Sequence, residues 1–511
     1  VSRRSIPALV IVIAGLIGLV VVGRDTPQRV TPFFASTGGT WMPAVGESGA
    51  LTGTWICPGL PTDGTDGRGG SVVVSNSEPV GLEGRFMVLT DEGVAADEAF
   101  SVDQWEQVRL DIGTFTDAAF SSVVVEIDGG IGFVEQVVRH PLGDSVAACS
   151  TDTSPTWYLA DGYTVEDSVE TLILTNPFDE PVVADLRFST ESRQSEPDRF
   201  RGFTVLPRSV RTIPIAELGA RDEPIISVSV EATAGRLVVG RSQEYRGGGR
   251  FGHDVSLAAP ELRDQWWFAD GERADGVQET FAIYNPTDEP AEVTVFFGGL
   301  PLADTAINEG DPIVVPPRRS LIFDPTTERQ IGGENPGDAG DTVDGGDDSF
   351  VDLQQPTFAL PEGRHATVVA AVGNPSLVVE RIITRSTEGT IATSVSLGAR
   401  PRPDGFVAST WHMGIGPDVA TEDALVVYNI DQIEATIDIS AIGPGGPSPV
   451  PALTGIELTS GGITTIDLTD PDVLGRELIV TSSSRVFIER LLPRGGELPG
   501  RSSSWLLPQS G

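Results

Sequence analysis

Along most of the chain, apolar and polar positions alternate with a period of two, in short runs cut by Gly, Pro, Asn and Asp. That is the pattern of strands buried on one face. From Val182, the positions Val182, Ala184, Leu186 and Phe188 point one way while Asp185 and Arg187 point the other. The series Ala291, Val293, Val295 and Phe297 repeats it. Each series follows a continuous apolar run, Leu172 to Leu174 or Phe281 to Tyr284, that ends at Asn-Pro. Proline removes a ladder donor there and fixes φ, so the run must turn. The pattern predicts a β-hairpin, buried on one face, around an Asn-Pro-x-Asp-Glu-Pro loop.

The match between these places extends well beyond the turn. TWYLADGYTVEDSVETLILTNPFDEPVVADLRF from Thr156 aligns without a gap to QWWFADGERADGVQETFAIYNPTDEPAEVTVFF from Gln265. Self-similarity of this length marks a tandem array. Four repeats are expected, opened by Trp55, Trp157, Trp266 and Trp411 and carrying Asn76, Asn176, Asn285 and Asn429 at the turn. Later parts align as a central strand pair (near Val102, Val205, Val315 and Leu458), a second hairpin (near Ser121, Ile226, Ala366 and Arg476) and a closing strand. Many short strands with regular turns favour one β-sandwich per repeat. The expected class is all-β: four tandem immunoglobulin-like β-sandwich repeats at residues 51–152, 153–263, 264–404 and 405–511.

Before the array, Ile6 to Gly23 is an uncharged, largely apolar run, long enough to cross a bilayer as a helix. Arg3 and Arg4 precede it and hold that end in the cytoplasm, so residues 1–24 read as a single-pass signal anchor. A cleaved signal peptide is the rival, but no A-x-A site follows. Residues 25–50 read as a linker. Everything beyond is then extracytoplasmic, on the plasma membrane.

Composition narrows the partners. The chain carries 34 basic and 73 acidic residues, for a net charge of −39, and every basic residue is arginine. A polyanion of this kind repels nucleic acid and anionic lipid. Repeat three is lengthened by a Gly- and Asp-rich insertion at 328–355. Its Asp338, Asp341, Asp344, Asp347 and Asp348 are candidate calcium ligands by residue type, though their spacing fits no EF-hand; a solvated loop is the plainer reading. The stretch PTDGTDGRGG from Pro61 is read the same way.

Features that return in every repeat are what a fold requires, so the four Trp residues read as core plugs and Asp161-Gly162 and Asp270-Gly271 as turns. Glu380-Arg381 and Glu489-Arg490 read as cross-strand ion pairs, worth little if exposed. Cys57 opens repeat one and Cys149 closes it, which in an oxidising compartment reads as a disulfide. His140 and His253 fall near the same late loop of repeats one and two, a hint of a shared structural role. No HExxH, CxxC, GxSxG or phosphate-loop glycine pattern occurs, and no cofactor is expected.

The WYLADG and WWFADG starts, the ET-apolar-NP strand and the Asp-Glu-Pro turn resemble the W-[YF]-x-A-[DE]-G … NP repeats of a family of membrane-anchored actinobacterial proteins of unknown function. The likeness lies in repeats two and three; repeats one and four lose the ADG element, reading CPG at Cys57 and MGIG at Met413. It implies a cell-envelope β-sandwich array and brings no catalytic residues with it. The expected function is a non-enzymatic envelope scaffold, a row of sandwiches presenting an interaction surface to an envelope glycan or protein. A carbohydrate-binding array is the alternative and would need exposed aromatic rings. A cryptic glycan hydrolase is the third reading and would need a cleft with paired carboxylates.

Overall fold

A computed structural model describes residues 43–46, 52–129, 132–218, 220–299, 313–326, 360, 362–373, 376–387, 390–399, 408–415, 423–431, 433–493 and 501–509. The anchor at 6–23 and the Asp-rich insertion, with its calcium candidates, lie outside them. All of the described residues belong to one unit, and their regular structure is strand apart from short 3-10 turns.

The first segment holds β1 (Thr52–Leu60), β2 (Gly69–Asn76), β3 (Leu82–Thr90), β4 (Gly93–Val102), β5 (Gln107–Asp111), β6 (Ser121–Asp128), β7 (Gly132–Arg139) and β8 (Ser145–Ala148). Its two sheets run β1-β6-β3-β4 and β5-β2-β7-β8, antiparallel throughout. The second holds β9 (Thr156–Leu159), β10 (Val169–Asn176), β11 (Val182–Ser189), β12 (Gln194–Ser195), β13 (Phe203–Val205), β14 (Ser209–Pro214), β15 (Ser227–Ala234), β16 (Val238–Tyr245) and β17 (Gly252–Leu257). Its sheets run β9-β15-β11-β12, with β13 on β11, and β14-β10-β16-β17. The third has β18 (Gln265–Arg273), β19 (Val277–Asn285), β20 (Ala291–Gly298), β21 (Ile313–Val315), β22 (Arg319–Phe323), β23 (Gly363–Ala371), β24 (Val378–Thr387) and β25 (Thr390–Leu397), in sheets β18-β23-β20-β21 and β22-β19-β24-β25. The fourth has β26 (Ala408–Met413), β27 (Ala424–Asn429), β28 (Ala435–Gly443), β29 (Gly446–Pro449), β30 (Ile456–Leu458), β31 (Ile463–Asp467), β32 (Leu478–Pro493), β33 (Arg501–Trp505) and β34 (Leu507–Pro508).

In the first three segments the inward residues of both sheets meet in one core, as expected when alternating strands stack face to face, and the fourth folds its single sheet around its own core. In the first, Trp55, Val123 and Val125 meet Val72, Val74 and Val134. In the second, Trp157, Leu186 and Val230 meet Leu172, Leu174 and Val239. The Cys57–Cys149 disulfide lies in the first of these cores, with Cα atoms 4.4 Å apart.

The predicted hairpins are not hairpins. β10 pairs with β14 and β16, β11 with β12, β13 and β15, and the two are never partners. The Asn-Pro turn carries the chain from one sheet to the other. The later pairs β6/β7, β15/β16 and β23/β24, and the central β13/β14 and β21/β22, divide between the sheets in the same way. Asn176 explains the turn: its amide donates to the carbonyls of Glu180 (2.8 Å) and Leu206 (2.9 Å) and its oxygen accepts from Phe178 N–H (3.0 Å). Asn76, Asn285 and Asn429 make corresponding sets, and all four are fully buried. One side chain thus satisfies carbonyls from two turns that a sheet crossing would leave unpaired.

Three further expectations change. In the fourth segment the polar stretch Thr481–Arg485 is not a turn: β32 runs unbroken through it, pairing with β26 and β28 at one end and with β27 and β33 at the other, so nine strands form one connected sheet. Asp270-Gly271 is not a turn either, but lies within β18 at a register shift. The predicted linker contains structure as well, since Val45 is buried, with its N–H on Pro508 O at 2.9 Å.

Candidate functional site

The segments are not laid out in a row; their contacts run in a closed circuit, and the junctions carry most of the buried charge. Glu380 of the third segment reaches into the second. Its Oε2 accepts from Ala160 N–H (2.8 Å) and Asp161 N–H (2.6 Å), and its carboxylate is gripped by Arg241 at 2.8 and 3.2 Å. Arg241 also donates to Ser256 Oγ (3.1 Å). Glu489 of the fourth segment repeats this on the third, accepting from Ala269 (2.9 Å) and Asp270 (2.6 Å) and pairing with Arg381 (3.2 Å). Glu135 of the first segment closes the circuit on the fourth, accepting from Gly414 N–H at 2.7 Å. The expected cross-strand pairs are instead made between segments: the side chains of Glu380, Arg381, Glu489 and Arg490 are all buried, and each Glu belongs to a different partner from the Arg that follows it. Alternation explains this, because the two neighbours point to opposite faces of one strand and each face meets different surroundings.

Burial pushes the Glu380, Glu489 and Glu135 carboxyls up, against the pull of Arg241, Arg381 and Arg490 respectively and of the amides they accept from. Behind each Arg lies a second buried acid. Glu279 meets His365 Nε2 at 2.7 Å and Asp423 meets Arg490 at 3.2 Å. Glu170 has no hydrogen-bond partner on either oxygen, and burial, opposed by Arg241 and helped by Asp161 and Glu380, pushes it up to about 8. It fits only because position 162 is glycine; a Cβ there would collide with its carboxylate.

The junction between the first and second segments has none of this. Pro58 stands where Ala160 does and has no N–H to offer; Gly240 replaces the inserted Glu, and a Cβ on it would come 2.6 Å from the Pro58 ring. Gln136 replaces the Arg and Gly70 the second acid, while Leu60 stands in place of Gly162. Ile56, Leu89 and Val124 pack into the second segment's core instead. His140 and His253 stack across the same junction, ring centroids 4.0 Å apart.

The four landmark Trp residues are buried; Trp157 donates to Leu237 O (2.9 Å), Trp266 to Leu377 O (3.1 Å) and Trp411 to Ala408 O (3.1 Å). Asp63 of the Pro61 stretch sits 3.6 Å from Arg68. Among the described residues no three His, Cys, Asp or Glu side chains are grouped to hold a metal. Where β8, β17, β25 and Trp505 converge, a cavity of about 50 Å³ is lined by residues such as Ala147, Leu257 and Leu397. That is room for a few waters. The missed Glu–Arg–amide constellation had one signal in the sequence: loss of the ADG element in repeat one coincides with loss of Glu at 240 in repeat two.

Residues 142–261 match a family described as Family of unknown function (DUF5719). No curated protein matches the chain. Among solved structures, one described as Thermotoga maritima 1070 is 14% identical, with a TM-score of 0.18, over 27% of this chain and 96% of its own. A tetra-tandem repeat from the extending region of a large adhesion protein is 10% identical, with a TM-score of 0.10, over 85% of this chain and 94% of its own. Likenesses this slight leave the arrangement of the segments to the chain's own contacts.

Proposed function

We propose that the chain is a non-enzymatic, membrane-anchored envelope protein whose four immunoglobulin-like repeats close on one another to make a rigid extracytoplasmic scaffold. The observation that carries this reading is the placement of the buried ionisable groups. Glu135, Glu380 and Glu489 reach across to backbone amides of a neighbouring segment, an arrangement that fixes the relative position of segments. The apolar run at 6–23 and the charge of −39 support the address, since a polyanion on the outer side is held off anionic lipid by its own field. The burial of the landmark indoles disfavours a sugar-stacking role for them.

Fractionation of cells producing the full chain, with protease added outside intact cells, tests the reading. Recovery with membranes and digestion from outside are expected. Recovery in the soluble cell contents would overturn the address, and hydrolysis of isolated envelope glycan by the purified chain would overturn the scaffold role.

A further inference from the structure

β4 ends one sheet of the first segment, paired with β3 along one edge and, among the described residues, with no strand along the other. It is ten residues long and contains no proline, and only Val102 of the ten is buried. The other segments break the corresponding edge. In the second, β12 and β13 have two and three residues, with a 3-10 turn over Asp198–Phe200 between them. In the fourth, β29 and β30 have four and three, and β29 carries Pro447 and Pro449. The described edge of the third is β21, three residues long. Short strands and proline keep a sheet edge from pairing with another chain. A long open edge instead holds out backbone N–H and C=O groups to which a further strand can pair.

Charge alone guards β4, and charge is selective. From Asp91 to Glu106 the chain has six acidic residues and no basic one. All six, Asp91, Glu92, Asp97, Glu98, Asp103 and Glu106, are exposed. Around the corresponding edge of the second segment the signs are mixed: Arg187 and Arg201 pair with Glu196, and Arg193 with Glu223. Asp97 and Glu98 stand at the middle of β4 and, as neighbours, on opposite faces. Arg85 and Arg208, the cations that act on Asp97, are held by Asp97 itself and by Asp179. Glu98 lies across from Phe86, a core residue, and belongs to no ion pair among the described residues. A second copy paired antiparallel on the centre of β4 would set Asp97 against Glu98 twice, and like charges directly opposite repel. A strand with a basic pair at its middle meets both acids with opposite charge, whichever way it runs.

We propose that the open edge of β4 is a docking site for an extended segment of another protein, one that carries a basic pair among β-branched residues and joins the sheet as a further strand. Ladder hydrogen bonds supply the affinity, and the charges choose the partner. The two acids that turn a second copy away draw the basic pair in. This gives the scaffold a place of contact, but the pairing is read on the purified chain and does not depend on a membrane address.

The probe is the peptide Thr-Val-Thr-Thr-Lys-Lys-Thr-Thr-Val-Thr, added to the full chain, with a counterpart that has Glu-Glu at its centre. Hydrogen exchange separates a ladder from loose attraction to a polyanion, because only a ladder protects amides. Protection of the outward amides of 93–102 is expected to rise about tenfold or more with saturating basic peptide and to stay unchanged with the acidic one. Glu98→Lys should weaken binding of the basic peptide about fivefold. Ala96 and Ala99 are three positions apart in an unbroken run of the β3 ladder, so their N–H groups point to opposite edges. Proline at one of them removes a docking donor, and at the other a bond to β3. Whichever of Ala96→Pro and Ala99→Pro keeps the parental unfolding midpoint is expected to lose the protection. The proposal is overturned if the basic peptide leaves 93–102 unprotected, if both peptides protect it alike, or if the stable proline variant is protected in full. Should neither proline variant fold, an unchanged affinity of Glu98→Lys for the basic peptide overturns it. None of these outcomes bears on the cell fractionation or the glycan hydrolysis assay, so the scaffold reading stands or falls separately.

Discussion

Where the second and third segments meet, a buried carboxylate from one side is held by two amides and an arginine from the other; where the first and second meet, proline, glycine and leucine fill the same places. The two junctions differ at every position of the constellation at once, and that is the lesson. A buried charge with one partner missing costs far more than the whole set replaced by apolar groups. Pro58 removes one of the two donors, and the Glu, the Arg and the second acid are absent with it. Leu60 and Gly70 likewise exchange sizes with Gly162 and Glu170, so that the pair still fills one volume. A junction with an inserted carboxylate fixes direction and register through its hydrogen bonds; the other relies on packing, on the histidine stack and on the contacts of His140 and Arg68 with Glu244 at its edge.

Breaking the charged junction should have the largest effect. Glu380→Ala leaves Arg241 and two amides buried without their acceptor and should cost about 3–5 kcal/mol in denaturant unfolding. An effect below 1 kcal/mol would mean that the junction is open to water. Next comes the feature both segments share. Asn76→Ala and Asn176→Ala should each cost about 1–3 kcal/mol, since several carbonyls lose a buried donor whatever the neighbouring junction is made of. A large cost at only one of the two would tie the clamp to its junction.

Acidity acts on the charged junctions through their buried carboxyls. Glu170 has a folded pKa of about 8, above its ordinary value, so its contribution is present in full below about 4.5 and is lost as pH rises through 8, at about 1.4 kcal/mol per unit. Glu170→Gln should remove that slope, which thermal unfolding followed from pH 5 to 8 would detect. Glu477, beside the closing junction of the fourth and first segments and pushed up to about 7 by burial with Glu135 adding to it, acts in the same direction. At the small end, Asp288 and Arg318 pair on the exposed rim of the third segment, and Arg318→Ala should leave the unfolding midpoint unchanged.

The period-two pattern and the Asn-Pro signal were legible because they are local: alternation makes a strand, and proline after asparagine ends it. Strand partners were not legible. The backbone of Leu172–Leu174 can pair with any neighbour, and only the clamp by Asn176, with acceptors at Glu180 and Leu206, sends the next strand to the opposite sheet. Similarly, the partners of Glu380-Arg381 were not legible in one dimension, because nothing local says that another segment covers it.

The sequence by itself determined that the chain is a β-rich array, where most of its strands lie, which Trp and Asn recur, and that Cys57 and Cys149 frame one segment. Each of these rests on neighbours along the chain or on comparison of one repeat with the next. Only the tertiary structure decided that the segments close in a circuit, that their buried acids belong to one another's backbones, and that two histidines far apart in sequence share one stack. Those depend on contacts between residues separated by about a hundred positions or more, which follow from how whole segments pack and leave no periodic trace in the chain.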